Sequence, residues 1–229
     1  MTPYLRVCVG GVTFSGVIVG TSWSHLLVRP LARPLIRLGV TPNQITALHL
    51  IVGLITVAAI AWGTPAAEIG AGFGWLFACL LDRLDGEVAR IGDMCTPAGH
   101  KFDCFVDTTL SSLYFLGLGV GLRDAPQPFG WIAVACGVIA CASQLTLSQV
   151  AEDFDSQSDD GKILASRWGF DADDALYLLG PLLWLPFNIR LGATVLAALG
   201  TGGFLLLFLR RLAGLKRKLA ADALARPAE

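Results

Sequence analysis

Asp82, Asp85, Asp103 and Asp107 are the residues best equipped for chemistry in this sequence. The first two are three apart and the last two four apart, so on helices each pair shares a face. A short connection between the pairs lets them converge. Four carboxylates brought together in a low-dielectric setting repel one another and need a counter-charge. Hard oxygen ligands suit Mg²⁺ or Mn²⁺. Two such ions can clamp a pyrophosphate and stabilise the charge that builds during phosphoryl transfer. A carboxylate beside the metals can also take a proton from an attacking hydroxyl. Gly86 and Ala89, on nearby turns, leave a gap through which a nucleotide could approach the helix.

The elements that carry these residues are apolar. Of 229 residues, 54% are hydrophobic and 15% charged, against about 25% charged in soluble domains. The mean hydropathy is +0.63. Several apolar runs approach the roughly 20 residues that span a bilayer. The sequence therefore predicts an all-α integral membrane protein with six transmembrane helices, at 44–62, 66–90, 99–121, 129–150, 173–189 and 191–209. Thr41-Pro42-Asn43 is a start signal for the first. Pro181 and Pro186 fall inside the fifth, where neighbouring helices must satisfy the freed carbonyls.

Ahead of these spans, Arg29, Arg33 and Arg37 share one helical face and Leu27, Leu31 and Leu35 lie on another. This predicts an interfacial helix over 24–38. Residues 7–20 are apolar but short for a span, which suggests a surface-lying or partly inserted segment. The domain reading is an N-terminal juxtamembrane segment over 1–40, a membrane domain over 41–213 and a basic cytoplasmic tail over 214–229. Basic residues concentrate on one side: Arg29, Arg33, Arg37, Arg90, Lys101, Lys162, Arg167 and the tail. Only Arg123 and Arg190 fall on the other. By the positive-inside rule both termini and the aspartates face the cytoplasm, of the inner membrane if the cell is bacterial. The polar stretch 152–174 reads as a loop on that side. A net charge of −1 gives no basic field for nucleic acid. The six cysteines form no CxxC or Cys/His cluster, and no disulfide framework is expected.

The spacing D-x2-D-G-x2-A-R-x8-G-x3-D-x3-D falls on Asp82, Asp85, Gly86, Ala89, Arg90, Gly99, Asp103 and Asp107. It resembles the motif of the CDP-alcohol phosphotransferase family with every interval kept. At about one chance in twenty per position, coincidence is negligible. Thr41-Pro42-Asn43-Gln44-Ile45-Thr46 is similar to the start of the family's first helix. The resemblance implies a six-helix, usually dimeric membrane enzyme. An alcohol would attack the β-phosphate of a CDP-linked donor and release CMP. Carried over by motif position, Asp82, Asp85 and Asp103 bind metal, and Asp107 binds metal and acts as the base. Gly86 and Arg90 contact the nucleotide or its phosphates, with Ala89 and Gly99 beside them. Thr96, Asn43 and Thr46 are further candidates for the nucleotide pocket. Thr96 reads equally as a loop-turn residue and Asn43 as a helix cap.

Two positions depart from members that transfer a phosphatidyl group. Thr108 stands where many of those have arginine or lysine. Glu87 resembles members with a CDP-linked polar alcohol as donor, such as di-myo-inositol-phosphate-phosphate synthases. Both leave the donor open between CDP-diacylglycerol and a CDP-polar alcohol. Glu87 otherwise reads as a surface charge, His49 as a satisfied core residue and His25 as a residue outside the chemistry; His100, next to Gly99, could touch a phosphate but reads first as outside the chemistry too. The competing function is an ion- or proton-coupled transporter, since intramembrane carboxylates also mark ion pathways. A transporter would place its acids near the midplane beside broken helices, whereas these lie at helix ends on one side.

Overall fold

The computed structural model describes residues 6–9, 12–15, 23–155 and 176–225. Two short strands come first, β1 (Arg6–Val9) and β2 (Val12–Ser15), paired antiparallel with Arg6 opposite Ser15. Part of the 7–20 segment is thus paired as two short strands, and every other described element is helical, as the sequence predicts. Helices follow: α1 (Trp23–Arg37), α2 (Pro42–Trp62), α3 (Pro65–Ile91), α4 (Pro97–Gly121), α5 (Phe129–Asp155), the single turn α6 (Leu179–Leu182) and α7 (Phe187–Ala225).

Proline opens α2, α3 and α4, where its missing N–H costs nothing and its fixed φ suits the first turn. At α2 the Gln44 side chain accepts from the Thr41 N–H at 3.0 Å. The reciprocal arrangement of Thr41 and Gln44 is a capping box, which satisfies donors that the helix leaves unpaired. Gly63, with φ of 76°, ends α2 in the left-handed conformation, which glycine adopts without strain. A two-residue turn then reverses the chain into α3.

Four helices are long and apolar enough to cross a membrane: α2, α4, α5 over Phe129–Leu147 and α7 over Phe187–Leu206. At 27 residues, α3 is long enough as well, but its last third carries the acidic and basic groups of the site. The expected fifth span over 173–189 is not a continuous helix in its described part. Leu176 onward makes a tight helical turn, α6 and another turn, and α7 starts after Pro186. Proline there has no N–H to donate, and it disfavours helical backbone at Leu185. Residues 173–175 and most of the expected 152–174 loop lie outside the described residues. So do 1–5 and 226–229.

The central core joins α2, α3, α4 and this broken segment through Ile60, Trp75, Leu110, Tyr114, Leu118, Tyr177 and Leu183. Irregular backbone inside a membrane protein must find hydrogen-bond partners within the protein. Aromatic side chains supply them here. Trp75 Nε1 donates to the Leu176 carbonyl at 3.0 Å and Tyr114 Oη to that of Leu179 at 2.6 Å. Tyr177 Oη donates in the other direction, to Cys79 at 3.0 Å. Close backbone approach holds α4 to α5, where the Cβ of a residue replacing Gly119 would stand 2.6 Å from the Ala133 carbonyl oxygen. Small residues at helix crossings of this kind drive association where lipid offers no hydrophobic force.

A second cluster packs α1 onto α3, with Val28 and Ala32 against Leu81, Leu84 and Val88. The helix expected over 24–38 is present despite Pro30 and Pro34. Its packed stripe is Ser24, Val28 and Ala32, one position on from the leucines. Leu27 and Leu31 point outward, more than half exposed. Large apolar side chains such as Ile55, Phe73, Leu196 and Leu199 are likewise exposed on the outer surface, as lipid-facing positions require.

Candidate active site

The loop between α3 and α4 sets the site. The chain leaves α3 at Ile91 and enters α4 at Pro97, so Asp82 and Asp85 near the end of one helix face Asp103 and Asp107 near the start of the next. Thr96 caps α4: its Oγ1 accepts from the Gly99 N–H at 3.0 Å, satisfying one of the orphan donors of the first turn. The α2 N-terminus completes the ring.

The two aspartate pairs do converge. Carboxylate oxygens of Asp82, Asp85 and Asp103 lie within 4.8 Å of one another. A second group joins Asp82 and Asp107 to the His49 imidazole within the same limit, with His49 Nδ1 at 3.9 Å from Asp107 Oδ1. Asp82 belongs to both groups. Their exposure differs. Asp85 is only 3% exposed, and it accepts a hydrogen bond at 2.6 Å from the Thr46 hydroxyl on α2. The Asp107 side chain is 47% exposed.

A cavity of about 260 Å³ opens beside this cluster. Asn43 and Thr46 line it from α2, and Asp85, Gly86, Ala89 and Arg90 from α3. Thr96, Gly99 and Asp103 close it from the loop and α4. Every residue expected in a nucleotide pocket therefore borders this one cavity, while Asp82 and Asp107 sit in the carboxylate cluster behind it. Glycine at 99 fits a tight place, since a Cβ there would stand 3.0 Å from Thr96 Oγ1 and 3.1 Å from Asn43 Oδ1. Without a side chain at 99, the two helix starts can meet. Thr41 is the cap of α2, which leaves Asn43 to the cavity.

Four residues read differently in space. Glu87 is not a surface charge: it is 6% exposed, and it accepts from Arg90 Nη2 at 3.1 Å. Helical spacing put it off the aspartate face, but that side of α3 is buried too. His49 lies against Asp82 and Asp107 instead of being a satisfied core residue. His100 borders the cavity, being the residue after Gly99 in the first turn of α4. Cys95, also at the cavity wall, is disulfide-bonded, against the expectation from spacing.

The donor set fits divalent metal. Four carboxylates share a small volume, and Asp103 Oδ1 is buried with no hydrogen-bond partner among the described residues. Such an atom is costly unless a cation or water reaches it.

Fold and site together define an integral membrane protein with a one-sided carboxylate centre. The chain belongs to the CDP-alcohol phosphatidyltransferase family, whose profile matches residues 39–209. It is also similar to cholinephosphotransferase 1 of Mus musculus, with 27% identity over 101 residues. That match takes in 41% of this chain and 25% of the mouse protein. The chain thus matches about a quarter of that relative's length.

Proposed function

We propose that this protein transfers a substituted phosphate group from a CDP-linked donor to an acceptor alcohol and releases CMP. The observation that carries the reading is the junction of the carboxylate cluster with a cavity lined by Arg90, Thr96, Gly99 and the α2 N-terminus. In this reading the cavity takes the cytidine and its phosphates. Arg90, held by Glu87, faces the phosphates. Gly86 gives them room, since the nearest atoms a side chain there would meet belong to the tip of Arg90.

Asp82, Asp85, Asp103 and Asp107 would hold two divalent ions, Mg²⁺ or Mn²⁺. Bound there, such ions supply charge neutralisation for the diphosphate and for the departing CMP. Thr46 holds Asp85 in place. Asp107, more open than Asp85, takes the proton from the acceptor hydroxyl. The bond from the acceptor oxygen to the β-phosphorus forms as the bond to the CMP oxygen breaks.

Between a CDP-diacylglycerol and a CDP-polar alcohol donor, two features support the second. The partial likeness is to a protein named as a cholinephosphotransferase. Thr108 follows the fourth aspartate where a cation is common among phosphatidyl-transferring members. We further propose that the protein works as a homodimer, with its site on the cytoplasmic side and the domain limits read from the sequence.

The test is CMP release. The full chain in lipid, with Mg²⁺ or Mn²⁺, is given a panel of CDP-linked donors and alcohols. Release is expected with at least one pair and is abolished by chelation. Absence of CMP with every pair overturns the reading. A transporter would instead move ions across sealed vesicles without any donor.

A further inference from the structure

One polar group beside the cluster has no role in that scheme. His49 is 5% exposed, and its Nδ1 is buried with no hydrogen-bond partner among the described residues. It stands three residues after Thr46, so the two share a face of α2. Thr46 reaches Asp85 on that face, and His49 reaches Asp82 and Asp107.

The spacing of His49 and Asp107 leaves room for a shared ion. At 3.9 Å, Nδ1 and Oδ1 are too far apart for a hydrogen bond. Two ligands each about 2.1 Å from a common ion stand about 3.0 Å apart when adjacent and about 4.2 Å apart when opposite. The observed separation falls between those values. A neutral imidazole would also complete a coordination shell without adding a negative charge to a site that already holds four carboxylates.

We propose that His49 is a metal ligand, its Nδ1 joining Asp82 and Asp107 around one ion in a mixed nitrogen–oxygen site. The neighbouring site of Asp82, Asp85 and Asp103 is all-oxygen. The two ions are then not equivalent. The all-carboxylate position suits Mg²⁺ or Mn²⁺, and the imidazole favours a transition ion over Mg²⁺ at its neighbour. This inference rests on the divalent-metal reading of the proposed transfer and adds a ligand to it.

Mn²⁺ itself is the probe. The full chain in lipid nanodiscs is loaded with Mn²⁺ and examined by pulsed electron paramagnetic resonance. Nitrogen coupling to bound Mn²⁺ is expected, and it should change when histidine is labelled with ¹⁵N. The coupling should vanish in His49→Gln and persist in His100→Gln. Affinity for one Mn²⁺ should fall at least about tenfold in His49→Gln, the loss that even outer-shell partners cause, while Mg²⁺ affinity holds. Bound Mn²⁺ without histidine coupling in the unaltered protein overturns the inference, whatever the variants do. So does coupling that survives His49→Gln. CMP release from the same samples separates the two readings. Transfer with nitrogen-free Mn²⁺ removes only His49, and absence of bound Mn²⁺ reaches the metal scheme as well.

Discussion

Asp107 and Asp85 have the same side chain but different surroundings. Asp85 is enclosed and hydrogen-bonded by Thr46, so one of its oxygens is fixed before any substrate arrives. Asp107 is about half exposed, and an acceptor hydroxyl can reach it. Asp107→Asn keeps the shape and removes the base proposed above. Turnover measured by CMP release should drop by about 10²–10⁴, the usual contribution of a positioned general base, with donor binding retained in calorimetry. Unchanged turnover would mean that another group takes the proton. Thr46→Val removes the hydrogen bond to Asp85 at nearly constant volume. Bonds to charged groups contribute about 1.5–3 kcal/mol, so metal-dependent donor binding should weaken by roughly tenfold or more. At this scale the aspartates were legible because their roles depend on spacing along one helix. Glu87 and His49 were not. Whether a lone polar residue in a helix is solvated, satisfied or aimed into a site depends on which helix covers it, and no periodicity within its own helix records that.

The helices themselves were legible where an apolar run had a start signal and a stop, as in α2 from Pro42 to Gly63. The 176–186 segment was not. Its composition suits a span, but Pro181 and Pro186 interrupt the backbone pattern, and its carbonyls are met by donors from Trp75 on α3 and Tyr114 on α4. Only tertiary contacts supply those partners. The same region holds an ion pair, Arg190 with Glu68, linking the starts of α7 and α3. Both side chains are less than 15% exposed. Removing one partner from such a pair typically costs about 3–5 kcal/mol because the other charge stays buried alone. Glu68→Gln should therefore lower the thermal midpoint substantially, and adding Arg190→Met should restore much of the loss. If the double variant is no better than the single, the pair is not the cause. At the α4–α5 crossing, Gly119→Ala drives a methyl into the Ala133 carbonyl. Overpacking of this kind costs about 1–3 kcal/mol, again read as a lower thermal midpoint.

Sidedness is a property of the whole molecule, and the course of the chain links it to the site. α2 leaves the site end and α3 returns to it, and α4 leaves again. The two turns at the opposite end are tied together, since Arg123 Nη1 on the α4–α5 turn donates to the Ala61 carbonyl at 2.6 Å. Arg190 meets Glu68 at that same end, so α7 starts there and runs back toward the site side. The arginines of α1, Arg90 and Lys101 therefore gather at the site end, toward which α7 runs. Arg123 and Arg190 are left at the other, where Arg190 is already matched by Glu68. Cytoplasmic faces carry the excess of lysine and arginine, so the site should open to the cytoplasm, where the donor proposed above would be at hand. Cysteine labelling tests this in a variant of the full chain lacking its native cysteines. Lys101→Cys marks the site end and Asp124→Cys the opposite turn. In intact spheroplasts a membrane-impermeant maleimide should label Asp124→Cys and should reach Lys101→Cys only after lysis. The reverse pattern would place the carboxylates outside the cell, and the donor would then have to be carried across the membrane to reach them.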